Sequence, residues 1–291
     1  MKFMKYRYFY FVFSLILVIG SLISLAVNGL RPSIDFAGGS QIQIIVEDAT
    51  GVDIEDLTKK LEAVYTVGSI QPLSGSILQI QGASVTEDSQ RAILEIIDKE
   101  VGIVELNSLE SVGPTLSREL LTKTTTAILF VAGFIMIYVW KQFSELKYGF
   151  SAILAMLHDS LILIGSFSVF GWLYGAEVDV LFVTALLTTL SFSVHDTIVV
   201  FDRIRELSRR FPSASFETVV DTAITETLSR SLNNSITIII MLLTLVLLGG
   251  SSIYWFAVAL LIGAVVGTYS STFAAAPLLI LWDDILSKKK K

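Results

Sequence analysis

The chain has 291 residues, of which 53% are hydrophobic and 16% charged, with a net charge of −6 and a mean hydropathy of +0.70. Soluble domains carry about 25% charged residues and disordered chains combine low hydrophobicity with high net charge, so neither class fits. The sequence has no cysteine, which excludes a disulfide framework, thiolate catalysis and a sulfur-based zinc site. It has no strongly basic surface that would suggest nucleic-acid binding.

A multi-pass membrane protein is therefore predicted. A spanning helix needs about 20 mostly apolar residues, and six runs approach or exceed this length: Tyr8–Val27, Thr124–Trp140, Tyr148–Phe170, Val178–Phe201, Ile236–Leu248 with its polar lead-in, and Ile253–Trp282. The first run has an alternative interpretation as a cleaved signal peptide, because Ser24-Leu25-Ala26 loosely resembles a cleavage site. It is longer than the apolar core of a signal peptide, about 7–15 residues, which favours an uncleaved anchor.

Basic residues in the short connections predict the orientation, because they favour the cytoplasmic side. Connections with Lys or Arg alternate with connections that have neither, namely Gly171–Glu177 and Gly249–Ser252. The basic ones are the N-terminal tail, Lys141–Lys147, Asp202–Arg230 and Lys288–Lys291. An even number of spans with both termini in the cytoplasm satisfies every connection, and it places the hydrophilic insert between the first two spans outside the cytoplasm.

That insert is acidic, with 15 acidic and 7 basic residues from Arg31 to Lys123, and its pattern is typical of a folded α+β domain. Polar and apolar residues alternate in Gln41–Val46, whereas Asp53–Val64 has apolar residues at helical spacing. The remaining predicted elements are strands at Thr66–Ile70, Ile77–Gln81 and Ile103–Leu109, a turn at Pro72–Gly75, and a helix over Ala92–Ile97 with a cap at Thr86 and a break at Gly102. The order β-α-β-β-α-β is that of a ferredoxin-like unit.

The predicted fold is thus an α-helical polytopic membrane protein with six transmembrane helices and a ferredoxin-like domain between the first and second. Residues 1–29 form the N-terminal tail and first helix, and residues 30–122 the extracytoplasmic domain. Residues 123–282 form a five-helix membrane domain with a cytoplasmic loop at about 202–230, and residues 283–291 a basic cytoplasmic tail.

Charged groups inside membrane spans are costly and mark candidate functional sites. His158-Asp159 lies about 15 Å into the third span, and His195-Asp196 lies in the inner half of the fourth. The nearest basic residue on the same face as Asp196 is seven positions away, so its partner must come from another helix. Arg230, at the entry of the fifth span, is the predicted partner because a guanidinium stays charged and grips a carboxylate with two hydrogen bonds.

Two interpretations of this pair stay open. Burial disfavours the charged form of a carboxyl group and a nearby cation favours it, so a site where both act can take up and release a proton as the helices shift. The alternative is a static ion pair that only fixes the packing of the helices. His158 has a structural alternative too, in which it bonds a backbone carbonyl. A metal site is a minor interpretation, because no third acidic cluster within the spans joins the two His-Asp pairs.

Small residues recur at every fourth position of the sixth span, among them Gly263, Gly267 and Ser271. This spacing allows close approach of a neighbouring helix and predicts a packing role. Pro277 is predicted to end or kink the same helix.

Several motifs resemble those of the SecD/SecF family of protein-export membrane proteins. Ser33–Gly39, with Asp35, Phe36, Gly38 and Gly39, resembles the family's Asp-Phe-x-Gly-Gly element, and Gly113 and Pro114 resemble the element before the second span. Further elements match in the same order over nearly the whole chain: His158-Asp159, His195–Glu206 with Asp202, Arg203 and Arg205, Thr227–Ser231, and Gly263–Ser271. One position departs from the pattern, since family members often have Asn where this chain has His195.

The resemblance, in particular to the SecF branch, implies a half-transporter of the resistance-nodulation-division type in the bacterial cytoplasmic membrane. It implies SecD as a partner around a pseudo-twofold axis, the SecYEG channel and YajC as neighbours, and unfolded secretory polypeptides as cargo. The coupling ion is the proton, with no other cofactor. Carried over by position, the proton-path aspartate falls on Asp196 and its basic partner on Arg230, and the predicted path also includes His195, His158 and Asp159.

Two other functions remain open from the residues alone. One is a proton-coupled exporter of lipids or small molecules, which would need a large apolar cavity. The other is a non-transporting assembly factor whose intramembrane charges lock helices together. An enzyme is not predicted, because the chain lacks a thiol, a Gly-x-Ser-x-Gly elbow and a His-Glu-x-x-His helix.

Overall fold

The computed structural model describes residues 2–47, 49, 51–74, 76–143 and 145–289. Gly75 of the predicted turn and Lys290 and Lys291 of the predicted basic tail lie outside these residues. Two compact units are present. One comprises the chain up to Arg31 with Ala127–Ala176 and everything from Leu181 onward, and the other comprises Pro32–Thr126 with Glu177–Val180.

The secondary structure alternates between long helices and one α+β segment. The helices are α1 (Arg7–Asn28), α2 (Ile34–Ala37), α3 (Ile54–Glu62), α4 (Glu87–Glu100), α5 (Pro114–Gln142), α6 (Leu146–Tyr174), α7 (Val180–Arg210), α8 (Phe216–Leu248), α9 (Ser251–Ser270) and α10 (Ala276–Lys289). A short 3-10 helix, Met4–Tyr6, precedes α1, and a π-helical turn, Ser271–Ala275, joins α9 to α10. The strands are β1 (Gly39–Val46), β2 (Val67–Ser74), β3 (Ile77–Gly82) and β4 (Ile103–Val112).

Within the described residues, six helices are long and apolar enough to cross a membrane. They are α1, α5, α6, α7, α8 and the continuous helix formed by α9, the π turn and most of α10. The prediction of six spanning helices is confirmed. Helix α7, with 31 residues, is about 46 Å long, so it extends well beyond the roughly 30 Å hydrocarbon layer of a bilayer.

The helix ends differ from the predictions in two places. The segment at about 202–230, predicted as a loop, is helical except for residues 211–215, because α7 continues to Arg210 and α8 begins at Phe216 with Ser215 as its N-cap. The apolar pattern ends earlier than the helices do. Pro277 does not end the last helix: it lies just after the π turn Ser271–Ala275, and α10 runs on to Lys289.

Two close approaches hold the helical unit together. A Cβ atom added to Gly165 of α6 would overlap the side chain of Ser21 in α1, and Ser24 of α1 donates a 2.9 Å hydrogen bond to Ser168 of α6. A buried apolar cluster centred on Tyr148 and Phe201 joins α6, α7, α8 and α10. Such tight packing is what small side chains on facing helices allow in a bilayer.

The α+β domain has the predicted ferredoxin-like topology. Its four strands form one antiparallel sheet in the order β2-β3-β1-β4, with α3 following β1 and α4 following β3. The predicted alternation in β1 is confirmed, since Ile42, Ile44 and Val46 are buried and pack against Leu57 and Leu61 of α3 and Ile93 and Ile97 of α4. Residues 72–74 of the predicted turn belong instead to β2.

Capping residues define both helices of this domain. Asp53 caps α3 by accepting bonds from the backbone N–H groups of Glu55 and Asp56. Thr86 and Ser89 form a reciprocal capping box at the start of α4, as the sequence predicts at Thr86. Gly102, with a φ of +76°, follows α4 and provides the left-handed turn into β4.

Candidate functional site

Asp159 of α6 is 1% exposed and joins three helices. Its Oδ2 accepts a hydrogen bond of 2.5 Å from Ser193 Oγ in α7 and one of 2.6 Å from Ser270 Oγ at the end of α9. His158 Nδ1 lies 2.8 Å from its Oδ1. A buried carboxyl group needs such partners, because an unsatisfied polar group in an apolar layer costs several kcal/mol. The position of Asp159 is therefore tied to the packing of α6, α7 and α9.

Asp196 is the second buried carboxyl group, and it joins α7 to α8. It is 4% exposed, and its Oδ2 accepts a hydrogen bond of 2.6 Å from Ser231 Oγ. Ser193, the partner of Asp159, lies three residues earlier on the same helix. Residues at this spacing share one face of a helix, so α7 presents both acidic contacts on one side.

Further hydroxyl groups continue this arrangement between α8 and α9. Ser235, four residues after Ser231, accepts a 2.7 Å hydrogen bond from Thr268 Oγ1, and Thr268 lies two residues before Ser270. We call the set that links α6, α7, α8 and α9 the polar seam; it consists of Asp159, Ser193, Asp196, Ser231, Ser235, Thr268 and Ser270. A change in charge at either carboxyl group acts directly on the contacts between these helices.

His158 retains capacity for a further interaction. Its Nε2 is buried and has no hydrogen-bond partner within the described part of the chain. An imidazole whose Nδ1 is bound to a carboxylate can form a further hydrogen bond at Nε2. His195, in contrast, is exposed on the surface of α7, although it directly precedes Asp196.

The predicted contact between Asp196 and Arg230 is absent. Arg230 is exposed, and no ion pair joins it to Asp196 among the described residues. It lines a groove together with Asp202, Glu206 and Glu226. Neighbouring residues of an α-helix point about 100° apart, and Ser231 rather than Arg230 faces α7. The sequence locates this turn of α8 correctly, but it does not specify which residue of the turn faces Asp196.

The glycine motif after α1 is a tight connection into the sheet. Ser33 caps the short helix α2, and Gly38 and Gly39 follow it with φ values of +76° and +117°. A side chain at Gly39 would overlap the backbone of Gly82 in β3. Asp35 Oδ2 accepts a 3.2 Å hydrogen bond from the Val180 backbone N–H, and Phe36 lies in α2. These glycines allow the left-handed backbone conformation of the connection and, at Gly39, the close approach to β3.

The second motif lies directly against the first. Pro114 is the first residue of α5, where its missing N–H costs nothing. The carbonyl of Gly113 accepts from the backbone N–H of Ser117, and Ser117 Oγ donates to Ile34 O at 3.4 Å. The two motifs together anchor the ends of the α+β domain.

Asp202, Arg203 and Arg205 lie on the polar extension of α7 and form ion pairs. Arg203 binds Glu206 of the same helix and Glu226 of α8, the latter at 2.5 Å. Arg205 binds Asp202 at 3.2 Å, and its guanidinium lies 5.5 Å from the ring centre of Phe143. These residues stabilise the helix ends, and they lie outside the polar seam.

Gly263 and Gly267 of α9 face α7. A Cβ at Gly263 would overlap the side chain of Thr189, and one at Gly267 would lie 3.4 Å from the Cα of Ser193. Ser271 is buried in the π turn and donates to the carbonyl of Thr268 at 3.1 Å. The glycines thus bring α9 close enough for Ser270 to reach Asp159.

Sequence reasoning missed all five hydroxyl members of the polar seam as partners: Ser193, Ser231, Ser235, Thr268 and Ser270. One signal was available, because Ser231 and Ser235 are spaced by four residues at the start of an apolar run. Among the described residues, no group of three or more His, Asp or Glu side chains forms a metal site. Six candidate spans and two buried carboxyl groups, each bonded by serine hydroxyls of neighbouring helices, define a polytopic membrane protein with ionisable groups inside its helical unit.

Comparison with known proteins gives the family. The family model described as the C-terminal part of the protein export membrane proteins SecD/SecF matches residues 93–284, and that of the SecD/SecF GG motif matches residues 23–48. The SecF translocase subunit of Thermobaculum terrenum is 41% identical over 96% of this chain and 93% of its own length. That of Anaerolinea thermophila is 36% identical over 95% of this chain and 92% of its own length.

A solved structure agrees with these relatives. SecDF from Thermus thermophilus, described as a translocon-associated membrane protein, superposes with a TM-score of 0.87 at 29% identity and covers 98% of this chain. The chain spans only 39% of the length of that SecDF chain. This chain belongs to the SecD/SecF family of protein-export membrane proteins, as a member of its SecF branch. The resemblance drawn from the motifs is thereby confirmed.

Proposed function

We propose that this chain works with SecD in the Sec translocase and uses the proton gradient to assist the movement of polypeptides across the bacterial cytoplasmic membrane. The family relationship implies SecD as partner, and SecD would correspond to the part of a SecDF chain that this chain does not match. The SecYEG channel, YajC and unfolded secretory polypeptides are proposed partners from the same resemblance. The basic connections support an orientation with both termini in the cytoplasm.

The single observation that carries this proposal is the buried position of Asp196 between α7 and α8. When charged, its carboxylate accepts a strong hydrogen bond from Ser231. Protonation removes the charge and weakens this bond, so the packing of α7 against α8 changes. Transfer of one charge across the membrane is worth about 2.3 kcal/mol per 100 mV, enough to bias two packing states that differ by a few kcal/mol.

Arg230 has a place in this mechanism although it does not touch Asp196 in the present structure. It directly precedes Ser231, so a rotation of α8 by about 100° exchanges a hydroxyl for a guanidinium in front of the carboxylate. The first state suits a group that is about to take up a proton, and the second favours its charged form. Asp159, with His158 beside it, is the proposed second proton-binding group of the path.

Exposed polar residues support pairing with a second membrane domain. Along α7 the exposed positions include Thr184, Thr188, Ser191 and His195, and along α8 they include Arg230, Asn233, Asn234 and Thr237. Polar and ionisable side chains in spanning helices normally face protein or water rather than lipid. This stripe is therefore the proposed contact with SecD, and it includes Arg230 and His195.

The test is Asp196→Asn in the complete translocase, with Asp202→Asn as matched control. Both replace one carboxylate of α7, but Asp202 is exposed on its polar extension. We expect Asp196→Asn to assemble normally and to lose the stimulation of export by the proton gradient, and Asp202→Asn to keep it. Gradient-dependent export at the normal rate in Asp196→Asn would refute the proposal.

The assembly-factor alternative is favoured by one observation, the serine hydroxyl of α8 that bonds the buried carboxyl group of Asp196 and so ties α7 to α8. Replacing Asp196 and Ser231 together by apolar residues of similar size separates the two functions. An assembly factor should tolerate this replacement, as buried polar pairs often do. A proton carrier should lose gradient-driven export while remaining folded.

A further inference from the structure

The sheet of the α+β domain has one face covered by α3 and α4 and an opposite face rich in carboxamide side chains. Gln41 and Gln43 lie on β1, Gln79 and Gln81 on β3, Gln71 on β2 and Asn107 on β4. The strand register aligns them, since Gln41 is opposite Gln81, Gln43 is opposite Gln79, and Gln79 is opposite Gln71. We call this surface the carboxamide face.

Hydrogen bonds connect these side chains in rows across the strands. Gln81 Nε2 donates to Gln41 Oε1 at 2.7 Å, and Gln43 Nε2 donates to Gln79 Oε1 at 3.2 Å. Asn107 Nδ2 extends the second row by donating to Gln43 Oε1 at 3.1 Å. The rows fix the side chains in place, so a partner does not have to order them on binding.

Two carboxamides of the face keep unused hydrogen-bonding capacity. A carboxamide offers two donor hydrogens and two acceptor lone pairs, and within the described residues Gln41 and Gln43 use only some of theirs. Gln79 is buried, Gln41, Gln43 and Gln81 are half-buried, and Asn107 is exposed. The face therefore presents donors and acceptors side by side, which are the two groups that an extended main chain needs.

Charge further restricts the partner. The four strands contain no Lys or Arg, and β4 carries Glu105 and Glu110. The basic residues Lys59, Lys60, Arg91 and Lys99 lie on α3 and α4, which cover the opposite face. A neutral or basic segment is complementary to the acidic side chains of this surface.

One end of the carboxamide face already holds an extended segment of this chain. Gln81 Nε2 donates to Glu177 Oε2 at 2.8 Å, and Val178 next to it forms a parallel bridge with Pro32. The acceptor in this contact is the side-chain carboxylate of Glu177, so one donor hydrogen of Gln81 is already used there. The remaining rows, around Gln43 and Gln71, continue from that contact.

We infer that the carboxamide face binds an extended, unfolded polypeptide of neutral or basic character, through main-chain hydrogen bonds that do not depend on its side chains. This inference rests on the proposed function and names the surface that meets the cargo. A chain in transit exposes unpaired N–H and C=O groups, and carboxamides satisfy both. The acidic residues beside them favour positively charged stretches.

The test uses photoreactive side chains at Gln43 and Gln71 in the full chain, assembled with SecD and supplied with a stalled secretory polypeptide. The matched controls carry the same group at Lys59 and Arg91, exposed positions on the helices that cover the other face. We expect at least fivefold more adduct with the secretory polypeptide from the carboxamide face. Equal yields from both faces, or adducts from Gln43 and Gln71 with SecD alone, would overturn the inference.

A second arm tests the role of charge and of the amides. Three added Lys or three added Asp residues in the stalled segment should raise or lower the adduct yield severalfold, and equal yields would contradict the charge argument. Gln43→Leu should reduce adduct formation from Gln71 and Gln43→Asn should restore it, with thermal melting confirming that both are folded.

The Asp196→Asn arm run in parallel separates the two proposals. If Asp196→Asn loses gradient-driven export and the photoreactive group at Gln43 gives no adduct with the secretory polypeptide, only the binding face is rejected. Adducts at Gln43 together with normal export in Asp196→Asn would reject the proton coupling alone.

Discussion

Ser193 donates a 2.5 Å hydrogen bond to Asp159 on the neighbouring helix, and one turn later the same helix carries Asp196. Helix α7 therefore contacts one buried carboxyl group, that of Asp159, and carries the other, that of Asp196. A shift of α7 that lengthens one contact must also move the other, because a helix transmits displacement along its axis.

The contact between Ser270 and Asp159 gives the first prediction. Ser270→Ala removes one donor from a buried carboxyl group, which should lower the free energy of unfolding by about 1–3 kcal/mol. Ser271→Ala is the matched control, because Ser271, as far as the described residues show, donates only to the backbone carbonyl of Thr268. Denaturant unfolding in detergent measures both. Equal destabilisation by the two variants would show that the hydrogen bond from Ser270 to Asp159 contributes no more to the free energy of unfolding than the bond from Ser271 to the backbone.

The close approach of α9 to α7 gives the second. Gly263→Ala places a methyl group where the side chain of Thr189 lies, and overpacking of this kind costs about 1–3 kcal/mol. We expect a lower melting temperature and a lower yield of folded protein. Gly133→Ala on α5, where a Cβ has no neighbour within 4 Å, should leave both unchanged. The idea fails if Gly263→Ala is as stable as Gly133→Ala.

The two intramembrane histidines give the third prediction, since the structure separates their roles. His158 is buried and contacts Asp159, whereas His195 is exposed. His158→Asn should reduce gradient-dependent export severalfold. His195→Asn should retain most of it unless the proposed SecD contact requires the imidazole, which co-purification with SecD would reveal. A larger loss of export in His195→Asn with SecD still bound would reverse this assignment.

The fourth prediction concerns pH and the link between α3 and α4. The carboxylates of Asp56 and Glu100, 2.7 and 2.6 Å from Lys60 Nζ, raise the pKa of Lys60 above its usual 10.5. A pKa raised by folding gives a stabilisation that is complete below the unfolded value and lost as the pH rises through the folded value. Lys60→Met should therefore loosen α3 against α4 at neutral pH but not above the folded pKa.

Hydrogen exchange of the α3 and α4 amides measures this effect. Because Lys60 is exposed, the difference should be small and should shrink in high salt. Lys59→Met is the control, since Lys59 pairs with Glu55 within α3. A difference from wild type that persists at high pH would show that the aliphatic part of Lys60 is responsible, not its charge.

Much of the fold was predictable because it depends on local patterns. The alternation of Ile42, Ile44 and Val46 with polar residues determines which face of the sheet is buried, and Asp53 and Thr86 mark the starts of α3 and α4. The apolar runs locate the spans. The ends of α7 and α8 were not predictable from hydropathy, because ion pairs such as that between Arg203 and Glu226 stabilise helix beyond the apolar residues.

The candidate site was predictable in position but not in geometry. Asp159 and Asp196 stand out in any hydropathy profile, since charge is rare in apolar runs. Their partners depend on how far each helix is rotated about its axis, which is set by tertiary packing. Ser231 instead of Arg230 meets Asp196 for this reason, and Ser270 meets Asp159 only because glycines bring α9 close to α7.

The π turn at Ser271–Ala275 has a consequence for Asp159. A π turn holds one residue more than an α turn, so it can migrate along its helix in single-residue steps while the helix stays unbroken. Moved by one residue, it would withdraw Ser270 from the carboxyl group and offer the hydroxyl of Ser271 in its place. The consecutive hydroxyls at positions 270 to 272 could then donate in turn to the carboxyl group of Asp159 as the π turn moves.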